Sequence, residues 1–176
     1  ANRLEALGWQ SSEDELLDKL RNSCKTTHLD VAALVHHLCK DKYCYSNEKW
    51  YCFDGNKWKS MTQNMHILSD LNIIVMSHLC WYSSMLACKI AEQVQRTLSP
   101  LQKNDPLSLD KNDCEATIRK LKDSSFRNAV VNESRVFFND DNFYKELDMN
   151  IYLFAFNNGV YDIQKDIFRQ IMPEDK

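Results

Sequence analysis

Apolar residues recur at helical spacing along parts of this chain and switch to a period of two in others. Leu16, Leu17 and Leu20 follow an acidic run opened by Ser12. Ser12 and Glu15 have the spacing of a capping box, so a short amphipathic helix is expected over residues 12–22. Val31, Leu34, Val35 and Leu38 repeat at the same spacing behind Asp30, which predicts a second helix capped by Asp30 and ending near Lys40. The period then changes. Residues 43–45, 49–53 and 57–60 are rich in aromatics, with Asp54-Gly55-Asn56 before the last of them. Glycine accepts the positive φ of a tight turn, so residues 50–58 read as a β-hairpin.

Residues 63–98 form one long helical pattern with room for a single break, ending before Pro100. Residues 101–110 are polar, contain Pro106 and are expected to be a linker. Helices are expected over residues 111–122 and 124–137, separated by the cap formers Asp123-Ser124-Ser125. A polar turn follows at residues 139–142. Strand character returns at residues 152–156, 160–163 and 167–170, with Asn157-Asn158-Gly159 as the first turn. Asn and Gly enter left-handed backbone most easily, which is the expected reason for that turn's composition. The fold class expected is α+β: a mostly helical body with a long central helix and two β-hairpins.

Composition narrows the chemistry. The 22 Lys and Arg against 25 Asp and Glu leave a net charge of -3, so a polyanion could be held only by a local patch. The three glycines, Gly8, Gly55 and Gly159, are far apart, which excludes a phosphate-cradling loop or a dinucleotide fingerprint. Seven cysteines with no CxxC pair point to free thiols in a reducing, intracellular compartment. The chain opens on Ala rather than Met, so neighbouring sequence is expected before it. Residues 71–88 carry no formal charge and approach the length that crosses a bilayer. Asn72, Ser77, His78, Tyr82, Ser83 and Ser84 interrupt them, so a buried core helix is the expectation, with Trp81, Tyr82, Met85, Leu86 and Ile90 as its spine.

Two strand segments carry more than secondary structure. Leu153-Phe154-Ala155-Phe156-Asn157-Asn158-Gly159-Val160-Tyr161-Asp162-Ile163, then Phe168-Arg169 and Pro173-Glu174-Asp175, resembles a passage in large-DNA-virus and phage proteins. That passage closes the domain in front of the superfamily-3 helicase in poxvirus, asfarvirus and giant-virus primase-helicases. Leu34 to Lys42 with Trp50-Tyr51-Cys52-Phe53-Asp54-Gly55-Asn56-Lys57-Trp58 resembles the same domain's helix and hairpin. The resemblance covers residues 28–176; residues 1–27 would be a short helix and linker from the primase side.

The resemblance implies a parent with a primase, this middle domain, and a hexameric ATPase whose motifs, with their ATP and Mg, begin beyond Lys176. No catalytic residue and no cofactor is then expected in this segment. Its role would be to couple the two ends, through ring assembly or DNA engagement. The implied partners are single-stranded or forked DNA, the adjoining primase and helicase domains, and other copies of the chain. No membrane is implied; the implied location is the host cytoplasm, where the virus replicates.

The residues themselves offer two candidate DNA patches. Lys42, Lys49, Trp50, Lys57, Trp58 and Lys59 combine cations for phosphates with rings on which bases stack. Against this, strand alternation puts Trp50 and Cys52 on one face and Tyr51 and Phe53 on the other. At least one aromatic pair should then be core. The second patch is Arg119, Lys120, Lys122, Arg127 and Arg135, diluted by Asp113, Glu115, Asp123 and Glu133, for which a solvated face is the favoured reading. His36 and Cys39 could pair on a metal across one helical turn, but Cys44 and Cys52 lack a matching partner, so small buried thiols are expected instead. Asp140-Asp141 reads as a turn former rather than a catalytic pair. Two functions stay open: a DNA-engaging replication module, and a scaffold that meets only proteins.

Overall fold

A computed structural model describes residues 9–25, 27–62, 64–102 and 104–176, with side chains from residue 13 onward. It has seven α-helices and two three-stranded antiparallel sheets among those residues, an α+β fold as expected. Contacts divide the chain into two units, residues 1–38 with 65–134 and residues 39–64 with 135–176.

The first unit is helical. α1 (Trp9–Ser23) runs through Ser12, so the expected helix start at Ser12 is not observed, and the Ser12 side chain lies outside the described residues. Leu20 and Cys24 of this region are buried, and α1 packs on α4 and α5. α2 (His28–Cys39) is capped one turn earlier than predicted. The Thr27 hydroxyl accepts from the Asp30 amide at 3.1 Å and in turn donates to the Asp30 carboxylate, so Thr27 is the cap and Asp30 the third helical residue.

The long apolar pattern forms α3 (Met65–Asp70), a π-helical turn (Leu71–Val75) and α4 (Met76–Thr97). The Met76 amide reaches the Leu71 carbonyl, the wide turn that marks an extra residue in a helix. Ile67, Leu71, Val75, Leu79, Tyr82 and Leu86 form one buried stripe along it. The segment Met65–Thr97 is long and apolar enough to cross a membrane, yet only 22% of its most apolar window is buried in the protein. The expected core helix is therefore buried along one stripe only, and Trp81, expected in the spine, is 46% exposed. Ser77, His78 and Ser84 satisfy themselves on the carbonyls of Ile73, Ile74 and Cys80.

α5 (Pro106–Lys120) begins inside the expected linker. Asp105 caps it by accepting from the Leu107 amide at 3.0 Å, and Pro106 takes the first helical position, where its missing N–H costs nothing. The Cys114 thiol of α5 donates to the Leu79 carbonyl at 3.3 Å. α6 (Ser124–Phe138) follows the sequence expectation and is capped by Asp123, which accepts from the Ser125 amide and hydroxyl at 2.6 Å each.

The second unit holds both sheets. β1 (Tyr43–Ser46), β2 (Lys49–Phe53) and β3 (Trp58–Met61) pair in sequence order. Asn47 and Glu48, both at positive φ, make the tight β1–β2 turn, while Gly55 at φ 93° serves β2–β3. Asp54 braces the latter by accepting from the amides of Asn56 and Lys57. α7 (Phe143–Glu146) follows the polar turn, where Asp140 accepts from the amides of Asn142 and Phe143.

β4 (Leu153–Phe156), β5 (Gly159–Asp162) and β6 (Ile167–Arg169) form the second sheet. Each predicted hairpin is therefore part of a three-stranded sheet. Asn157, Asn158 and Gly159 are absent from the positive-φ positions, so left-handed backbone is not the reason for this turn's composition. At Gly159 the reason is space. A Cβ there would lie 2.6 Å from the Arg169 carbonyl and 2.6 Å from the Phe168 ring.

Candidate nucleic-acid interface

The first sheet decides the fate of its tryptophans because both of its faces are covered. On one face Trp50 meets Tyr45 and Phe138 edge-on, at 5.1 and 5.4 Å between centroids. On the other, Tyr51 and Trp58 pack against Phe143 at 5.0 and 4.9 Å. Trp50 is 4% exposed and Tyr51 6%, so one aromatic from each face is core. Trp50 therefore offers no ring to a nucleobase, which corrects its place among the DNA-binding candidates. Its indole N–H is buried without a partner. Trp58 is half-buried and donates its indole N–H to the Pro173 carbonyl at 2.8 Å.

The lysines fall at two ends of this sheet. Lys57, exposed at the β2–β3 turn, and Lys59 share one end with Lys42, whose carbonyl accepts from the Phe53 amide at 2.9 Å. Lys49 stands at the opposite end, beside the Asn47–Glu48 turn. Lys59 is paired with Asp54 at 2.5 Å, and this contact, with the turn amides, holds the Asp54 carboxyl well below its usual range. Lys42 lies 5.5 Å from the Tyr43 ring centroid.

Two further motif residues meet in the same unit. Arg169 grips Asp175 through two hydrogen bonds of 2.6 and 2.7 Å, and the Met172 amide adds a third at 2.9 Å. The Arg169 guanidinium keeps the Asp175 carboxyl below its ordinary value. With the Trp58–Pro173 bond, the Trp hairpin and the closing Arg…Asp passage are thus tied directly to each other.

The second predicted patch is rearranged. Arg127 is tied to the backbone: its Nη1 donates to the Leu121 and Lys122 carbonyls at 2.8 and 2.9 Å and closes the end of α5. Lys122 is exposed and stands apart from the cleft beside it. Arg119 does line that cleft, a hollow of about 700 Å³ shared with Lys120, Asp123, Ser125, Ala129, His28 and Phe126. The His28 and Phe126 rings are 4.6 Å apart and tilted by 47°. The sequence reading missed both rings, because only the packing of α2 against α6 brings them together. Among the described residues no group of three His, Cys, Asp or Glu is placed to hold a metal ion.

The second sheet adds an aromatic face. Phe154, Tyr161 and Phe168 stand in one cross-strand row, and Phe156 lies beside Phe168 at 5.9 Å. Phe154, Phe156 and Phe168 are each more than half exposed.

A family model described as "D5 N terminal like" matches residues 32–176, most of the chain. The chain belongs to the D5 N-terminal-like family. Domains of this family occur in primase-helicases of viral and phage origin. A second similarity points the same way. A protein of Acanthamoeba polyphaga mimivirus, named "Putative helicase L207/L206", is 38% identical over 72 residues, which is 41% of this chain and 7% of that protein. The matched stretch is thus a small part of this relative's length. Both signature passages, the Trp hairpin and Phe154-to-Asp175, fall within the D5 N-terminal-like match.

Proposed function

We propose that this D5 N-terminal-like chain is a non-catalytic middle domain of a large-DNA-virus primase-helicase that engages single-stranded or forked DNA. In this reading it links a primase to an ATP- and Mg-dependent superfamily-3 helicase motor and supports ring assembly at the viral replication site in host cytoplasm. The family match over residues 32–176 carries the proposal. DNA engagement is supported by the exposed Lys57, near Lys42, at one end of the first sheet and by Arg119 and Lys120 beside the His28 and Phe126 rings. With a net charge of -3, such contacts must act locally.

Titration with single-stranded and duplex DNA over a range of salt tests it. Binding that weakens as salt rises supports DNA engagement; its absence at physiological salt leaves a protein-only role. That second reading, a scaffold between domains or copies, has its own support in the exposed Phe154, Phe156 and Phe168 face. An oligomer that dissociates on Phe154→Ser with Phe156→Ser, with no DNA binding by the native chain, would favour it.

A further inference from the structure

The geometry points to an unpaired nucleotide unit as the ligand of the cleft between α2, α5 and α6, its base against His28 and its phosphate beside Arg119 and Lys120. This deepens the DNA reading above and rests on it for the strand form of the ligand. A hollow of about 700 Å³ is within the size range of small-ligand sites. What distinguishes it is its lining.

His28 is exposed at the first residue of α2, and the half-buried Phe126 contacts its ring at 4.6 Å between centroids, tilted by 47°. A flat, supported, partly polar ring is what a nucleobase stacks on, and imidazole serves that role alongside the larger aromatics.

The cations lie on the same rim. Arg119 and Lys120 are exposed at the end of α5, and neither is in an ion pair among the described residues. Asp123, the acidic member of the lining, is already bound to the Ser125 amide and hydroxyl at 2.6 Å each, so its charge is partly spent in capping α6. A base-paired duplex presents phosphates to such a rim but keeps its base faces stacked inside. An unpaired nucleotide presents both.

The test uses the full chain and fluorescence anisotropy with a labelled oligo-dT. Its comparison ligands are an abasic strand of equal length, a duplex and free dTTP. The native chain should prefer oligo-dT over the abasic strand by roughly tenfold, the value of one good stack. His28→Ala should remove that preference with the circular dichroism spectrum unchanged. Arg119→Ala with Lys120→Ala should lower the salt slope by about 1.4, two single-strand phosphate contacts. Lys89→Ala, exposed on α4 and outside the cleft lining, should change neither.

If the native chain binds oligo-dT and the His28 and Arg119/Lys120 variants bind it identically, the cleft assignment fails while the DNA reading stands. If the native chain binds no strand but binds dTTP in a way His28→Ala weakens, the DNA reading fails and the cleft survives as a free-nucleotide site. Binding of neither overturns both.

Discussion

A tryptophan can serve a nucleic acid only where a ring face reaches solvent, and Trp50 does not. It sits between Tyr45 and Phe138, so Trp50→Ala should cost about 3–5 kcal/mol of stability, the usual loss for truncating a buried aromatic. Chemical unfolding measures it; a variant as stable as the native chain would place Trp50 outside the core. Trp58→Phe keeps the ring against Phe143 and removes only the donor to Pro173, a loss of about 0.5–1.5 kcal/mol in the same assay.

Asp175 gives the pH-dependent counterpart. Arg169 holds its carboxyl below the ordinary value, so the unfolded chain takes up the proton first as pH falls. The pair's contribution is therefore present above the unfolded value near pH ~3.9 and is lost as pH drops through the lower folded one. Asp175→Ala should cost about 1.5–3 kcal/mol at neutral pH. That gap should close in acid. A gap that persists at the acid end would mean the pair carries no linked stability.

Elements were legible in the sequence wherever the signal was local. The Asp54-Gly55-Asn56 turn needs one positive-φ glycine, and it is there at φ 93°. α6 begins where Asp123-Ser124-Ser125 said it would. The misses have physical causes of the same kind. Asp30 looked like a cap because it precedes the apolar run, but Thr27 is the cap and its hydroxyl accepts from the Asp30 amide. Pro106 looked like a linker residue, yet proline is welcome at the first position of a helix.

Gly159 was read as a matter of φ and is a matter of space, which no sequence window shows, because the atoms that fill it belong to Phe168 and Arg169 on the neighbouring strand. The backbone carbonyl cannot step aside as a flexible side chain would. Gly159→Ala should therefore cost about 1–3 kcal/mol, the range for overpacking, and should loosen the Phe156–Phe168 ring contact. Chemical unfolding and the Phe168 ring resonances check the two parts. An unchanged stability would show that β6 can shift outward at no cost. The candidate site was half legible for the same reason. Arg119 stood out as a cation, but His28 and Phe126 become neighbours only through tertiary packing.

At the scale of the whole molecule, the second unit is assembled from two separated stretches, residues 39–64 and 135–176. Its first sheet has three strands but cannot cover itself, since two faces of aromatics need partners. Those partners come from the later stretch: Phe138 under Trp50, Phe143 under Tyr51 and Trp58, and the Pro173 carbonyl on the Trp58 indole. The Asp140 amide also donates to the Tyr45 carbonyl at 2.9 Å, pinning that stretch along β1. A chain ended after Ser134 should therefore lose the sheet while keeping the helical contacts internal to the first unit. With Trp9 and Trp81 replaced by Phe, the emission reports on Trp50 and Trp58 alone. On truncation it should move to the red and become open to acrylamide, while the far-ultraviolet helical signal is retained. Emission that stays blue would mean that the three strands bury their own tryptophans, and that the family's closing passage is dispensable for the Trp hairpin.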